Sequence, residues 1–268
     1  MNPTTIQQTL QVLHDSSATS TMPTTLQKPC RAVVNLLPTT PEVAERLLTE
    51  AYWRVMSERL GRRTPQQLDG QTSVRIHDVA RWLTGNTDHR WLYLYGRIGC
   101  GKSTMARAIV ECVGLFAAMR KREIDDAAWR MPFEEPERGA YKRKIMHERN
   151  ILDSIPSPYI VSAKELARIV ASGSADEFEK LVGHAALVID DVGTEPVDVR
   201  VYGSLRAPFE EIIEARYNAG RLTIMTSNLA IDNGRDDCSS IASRYGLRIA
   251  DRFVEEAERV VFVGESFR

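Results

Sequence analysis

The apolar run WLYLY, Trp91 to Tyr95, passes without a break into GRIGCGKS, Gly96 to Ser103, and then into a stretch with helical spacing. Glycines at Gly96, Gly99 and Gly101 let the chain curl, so that successive backbone N–H groups converge at the start of the following helix, where the helix dipole favours an anion. Lys102 adds a point charge there, and the Ser103 hydroxyl is short enough to reach a metal ion held between phosphates. The pattern satisfies G-x-x-x-x-G-K-[ST], and it lies between a strand and a helix, where a phosphate-cradling loop has to lie. This strand, loop and helix commit the chain to an α/β fold in which parallel strands end on one edge.

The remaining periodicities agree. YIVSA, AALVID, LTIMTS and RVVFVG read as four further buried strands, alternating with helical segments. Met105, Ala108, Ile109, Cys112, Val113 and Phe116 form the sheet-facing stripe of the helix after the loop. Ser162-x-x-Glu165 and Ser174-x-x-Glu177 each open a helix, Leu205 to Ile213 mark another, and residues 239–256 are expected to be mostly helical. Ahead of the first strand, Val43, Ala44, Leu47, Leu48, Ala51, Tyr52, Val55 and Met56 form one stripe over residues 41–60, with Thr40 as N-cap and Gly61 beyond the end. A shorter helix is expected from Val74 to Thr84. The expected organisation is a Thr/Ser/Gln/Pro-rich tail over 1–39, a helical partner-binding module over 40–85, and a nucleotide domain over 86–268 with a charged insertion at about 120–157.

Bulk properties narrow the partners. A net charge of −1 over 268 residues gives no global attraction to nucleic acid, so such contact would need local patches. Clusters of that kind occur in the insertion, at Arg120, Lys121 and Arg122 and again at Arg138, Lys142, Arg143 and Lys144 around Tyr141, interleaved with Glu134, Glu135 and Glu137. The four cysteines lack C-x-x-C or Cys/His spacing, which argues against zinc and disulfides and for a reducing compartment. With neither a leader pattern nor an apolar span, the chain reads as cytoplasmic with no membrane partner.

The chemistry is expected at the strand ends. AALVIDD places Asp190 to hold the metal ion and Asp191 to orient or deprotonate an attacking water. Asn228, ending LTIMTSN, would lie between the loop and Asp190 and could hold the water or the γ-phosphate. Thr104 can donate to a phosphate oxygen, Cys100 is expected to be partly exposed within the loop, and Glu195 is a possible substitute base with a surface role favoured.

GRIGCGKST, ALVIDDVGTEP, TIMTSN and RYGLRIADRF…VVFVGESFR occur in the order found in AAA+ ATPases of the DnaC helicase-loader and IstB transposition-helper group, and residues 72–268 resemble that group. The resemblance implies a P-loop NTPase fold of AAA+ type, a five-stranded parallel sheet flanked by helices without a C-terminal lid domain. It further implies an ATPase using ATP and Mg2+ whose Walker residues are Lys102, Ser103 and Asp190. Asn228 would be the first sensor, Arg252 in ADRF an arginine finger acting across subunits, and Arg268 in ESFR a second sensor. Partners would be DNA, single-stranded by preference, a replicative helicase or a transposase, and further copies of the chain. Relatives with Asp-Glu where this chain has Asp190-Asp191 hold a base one methylene longer. Three other readings stand beside helicase loading: an IstB-like helper, a P-loop small-molecule kinase, and a nucleotide switch that scarcely hydrolyses.

Overall fold

The structure is a computed structural model and describes residues 35–61, 67–132, 134–234 and 238–264. Five parallel strands form one sheet: β1 (Trp91–Gly96), β2 (Tyr159–Ser162), β3 (Ala186–Val192), β6 (Leu222–Ser227) and β7 (Ala257–Phe262), in the order β2-β3-β6-β1-β7. Between β3 and β6 in sequence, β4 (Val199–Val201) and β5 (Ser204–Arg206) make an antiparallel hairpin that periodicity did not disclose. Its strands are three residues each, too short for a two-residue period to show.

Alternation along the strands divides two cores. Leu92, Leu94, Val188 and Ile224 face one side, where α1 (Pro41–Leu60), α2 (Gly70–Leu83) and α3 (Lys102–Trp129) pack. Trp91, Tyr93, Leu187, Ile189 and Met225 face the other. There α5 (Ala163–Ala171), α6 (Ala175–Gly183), α7 (Pro208–Asn218), α8 (Ile241–Tyr245) and α9 (Leu247–Glu256) cover them. Both faces are buried, as a parallel sheet requires.

Local signals explain most helix starts. The Ser162 and Ser174 hydroxyls accept from the Glu165 and Glu177 N–H groups at 3.1 and 3.4 Å. Asp69 caps α2 by accepting from Thr72 N at 2.8 Å, which starts that helix at Gly70, one turn before the expected Val74. Thr40 has the extended backbone of an N-cap, but its hydroxyl makes no capping bond.

Residues 40–85 are not separate from the sheet. α1 and α2 share their core with β1 and α3, and Leu36 and Leu37, placed in the tail by composition, are buried in it. The rest of the expected tail, residues 1–34, lies outside the described residues. The insertion is also more regular than its sequence: α3 runs on to Trp129, and α4 (Glu137–Ser154) folds back along it. Ile124 and Ile145 supply the small apolar contact, while Arg120 bridges Glu123 at 2.6 Å and also Glu148. A two-residue apolar seam leaves the remaining positions free to be charged, which hides the helical period. Among the described residues, no helix is long and apolar enough to cross a membrane.

Candidate nucleotide site

The phosphate loop leaves β1 with three glycines at positive φ, Gly96 (134°), Gly99 (84°) and Gly101 (92°). They serve different ends. A Cβ on Gly96 would stand 2.2 Å from the Phe262 carbonyl oxygen, so this glycine permits the close approach of β7. Gly99 and Gly101 line the cavity, and Gly101 is the N-cap of α3 in the left-handed conformation. Lys102 is buried, and its Nζ donates to the carbonyls of Gly96 at 2.9 Å and Arg97 at 2.7 Å, which holds the ammonium inside the loop.

The opposite wall comes from β3. Ile189 pairs with Met225 and Val192 with Ser227, so Asp190 and Asp191 together face the single residue Thr226. This is a β-bulge, which turns successive side chains away from strict alternation. Asp191 takes φ 60°, a left-handed conformation that Asp tolerates better than most residues. The Thr226 hydroxyl donates to Asp190 Oδ1 at 2.6 Å and accepts from Asp191 N at 2.8 Å, so one side chain fixes the Asp190 carboxylate and the Asp191 backbone. Asp190 is nearly buried and Asp191 exposed. β6, between β3 and β1, delivers Asn228 to the gap between loop and carboxylates. Ser227 anchors that strand end by donating to Val192 O at 2.6 Å and accepting from Leu229 N at 3.0 Å.

Gly99, Gly101, Lys102, Ser103, Thr104, Asp190, Asp191 and Asn228 thus meet around one cavity of about 320 Å³. The fold is a five-stranded parallel α/β sheet flanked by helices, with the strand that leads into the phosphate loop between β6 and β7. No family model matches the chain, and no curated protein matches it. Among solved structures it is similar to the DnaC helicase loader, at 19% identity, a TM-score of 0.47, and coverage of 79% of this chain and 98% of that one. It is also similar to DnaI, at 17% identity, a TM-score of 0.45, and coverage of 90% and 100%.

The cavity also holds residues that the sequence reading missed. Tyr52, Met56, Arg59 and Leu60 of α1 form one side, with Arg107 and Thr194 beside them. Burial pushes the Tyr52 phenol up to about 12, so it stays protonated. Thr226 had one visible signal: a threonine where an apolar residue would continue the buried run.

Hard oxygen donors suit magnesium, and the site provides them in the Ser103 hydroxyl and in Asp190, whose second carboxylate oxygen is left over from the Thr226 bond. No cluster of three or more His, Cys, Asp or Glu occurs among the described residues.

Three expectations require correction or relocation. Cys100 is 2% exposed, and its thiol lies in the core below the loop, 3.4 Å from the Gly264 carbonyl oxygen, so its side chain does not belong to the site. Glu195 is no surface residue. It is 2% exposed and accepts from Gly193 N at 2.8 Å and from the Tyr245 hydroxyl, so it braces the loop after β3 and has no free oxygen for a water. Burial, then the adjacent Glu195 carboxylate, raises the Tyr245 phenol above its ordinary range and keeps that donor protonated. Arg252 is 9% exposed, donates to Glu214 Oε1 at 2.8 Å, and stacks over Tyr217 with 4.8 Å to the ring centroid. It is away from this chain's own cavity, and its partners are in its own subunit. Arg268 lies outside the described residues.

Proposed function

We propose that the chain is a Mg2+-dependent ATPase that acts as a helicase loader on DNA. The observation that supports hydrolysis best is the convergence of Lys102, Ser103, Asp190, Asp191 and Asn228 on one cavity, with Thr226 bonded to the Asp190 carboxylate and to the Asp191 backbone. In this reading Lys102 and the loop N–H groups hold the outer phosphates, and Ser103 and Asp190 hold the ion that offsets their charge. Asp191 takes the proton of the attacking water, which Asn228 positions. Helicase loading is supported by the four motifs and their order. The exposed Lys142, Arg143 and Lys144 on α4 supply a surface for a single-stranded phosphate backbone, and Arg252 is offered to the γ-phosphate of a neighbouring copy once Glu214 releases it.

Phosphate release measured with Mg2+ and single-stranded DNA, and with no acceptor other than water, tests the reading. Wild-type protein should turn over and Lys102→Ala should not, because about 2–3 kcal/mol or more of charge-assisted contact to phosphate is removed. Turnover that required an added small-molecule acceptor would establish a kinase instead. Purification of the untagged protein from its native host should bring down a replicative helicase; recovery of a transposase would move the reading to a transposition helper.

A further inference from the structure

Arg59, on the last turn of α1, belongs to none of the motifs that define the phosphate site, yet it lines the same cavity. Its Nη1 donates to the Thr104 hydroxyl at 2.6 Å. Thr104 follows Ser103 in the first turn of α3, where backbone N–H groups have no helical acceptor and point out of the helix towards an anion. A guanidinium carries five N–H donors and a full charge, whereas this hydroxyl is a single neutral acceptor that offsets none of it. An anion drawn to the first turn of α3 therefore comes within reach of a cation supplied by α1. Arg107, one turn further along α3 and exposed on the same wall, adds to that positive field.

We propose that Arg59 is a nucleotide ligand that binds the α-phosphate, and that α1 is by this contact part of the nucleotide site; the proposal rests on the ATPase reading above. The position along the phosphate chain follows from the order of groups. Asp191 and Asn228 mark the γ end, Lys102 and Ser103 serve the outer phosphates, and Thr104 lies one residue beyond Ser103. Arg59 reaches the loop from α1, which packs on α3. The α-phosphate is common to ATP and ADP, so Arg59 should add the same increment to both.

Equilibrium titration of the full-length protein with ATP and with ADP, each with Mg2+, tests this. Arg59→Ala should weaken both nucleotides by the same factor, roughly ten- to a hundredfold, the range for a hydrogen bond to a charged group. Arg59→Lys should recover part of the loss, since it restores charge without the fork. The melting temperature of the nucleotide-free protein should not move. Unchanged affinities in Arg59→Ala would overturn the proposal. A loss confined to ATP would place the residue at the γ-phosphate and overturn it equally, as would a fall in melting temperature without nucleotide that Arg59→Lys does not repair. If wild-type protein binds neither nucleotide, the ATPase reading fails first and this one with it, so the two failures are distinguishable.

Discussion

The phosphate loop and the arginine-bearing helices α8 and α9 are built on different principles. The loop is shaped by glycines at positive φ and by a lysine bonded to the loop's own carbonyls. Everything it needs lies within eight residues. In α8 and α9, Arg244, Arg248 and Arg252 recur every four residues, yet they do not form one face: Arg248 and Arg252 share Glu214, and Arg244 turns elsewhere. The Arg244 guanidinium donates to the Glu195 carbonyl oxygen and to the Tyr245 hydroxyl. Arg248 is exposed and loosely paired with Glu214 at 3.3 Å. Arg252 is pinned between Glu214 and Tyr217. A break at Gly246, between the two helices, is enough to turn Arg244 away from the others. A site made by backbone conformation travels with its sequence, while a site made by long side chains depends on what packs around them.

The sharpest test of that contrast lies in the bulge, where the backbone gives two neighbouring carboxylates different exposure. Asp191→Asn should keep ATP affinity and lose about 100- to 10,000-fold in hydrolysis, the range for removal of a general base. Asp190→Asn should weaken Mg2+-dependent binding and turnover together. Equal binding defects in both, read by nucleotide titration with and without Mg2+, would erase the division of labour.

Next in size is the arginine face. If Arg252 leaves Glu214 to serve a neighbouring copy, Arg252→Ala should bind ATP and hydrolyse it poorly, and mixing it with inactive Lys102→Ala should restore some ATPase activity. Absence of rescue at concentrations where subunits associate would leave Arg252 with its intramolecular contacts alone. Chemical denaturation should then show a loss of about 1 kcal/mol for Arg252→Ala and almost none for Arg248→Ala, since only the former is substantially buried.

Tyr245→Phe removes the donor to buried Glu195 and should cost about 1–3 kcal/mol in the same measurement. Its ATP affinity should change less than its stability, because the tyrosine braces the loop after β3 from outside the cavity. A nucleotide-binding defect without a stability loss would show that the α8 network reaches the site itself. The smallest effect belongs to Cys100. Its thiol is buried, so a thiol reagent applied to the folded protein should modify exposed Cys238 first and leave nucleotide binding intact. Rapid loss of binding, blocked by ATP and mapped to Cys100, would mean that the loop opens far more readily than its packing implies.

What was legible in the residues had short range. Gly99, Gly101, Lys102 and Ser103 declare the loop because backbone geometry, a helix end and one charge are local properties. The central strands β1, β3 and β6 were readable because a parallel strand between two neighbours is buried on both faces, the edge strands β2 and β7 showed through short apolar runs although they are partly exposed, and Asn228 was readable as the polar end of β6. Other features were decided only by tertiary packing. The β4–β5 hairpin was too short to show a period, and the hairpin of α3 and α4 has too small an apolar seam. Thr226 gains its role from a bulge in the neighbouring strand, and Arg59 gains its place at Thr104 from the docking of α1 on α3. Cys100, Glu195 and Arg252 show the same limit: a position in a motif says where the backbone goes, but the direction and partners of a side chain come from residues that are distant in the chain and close in space.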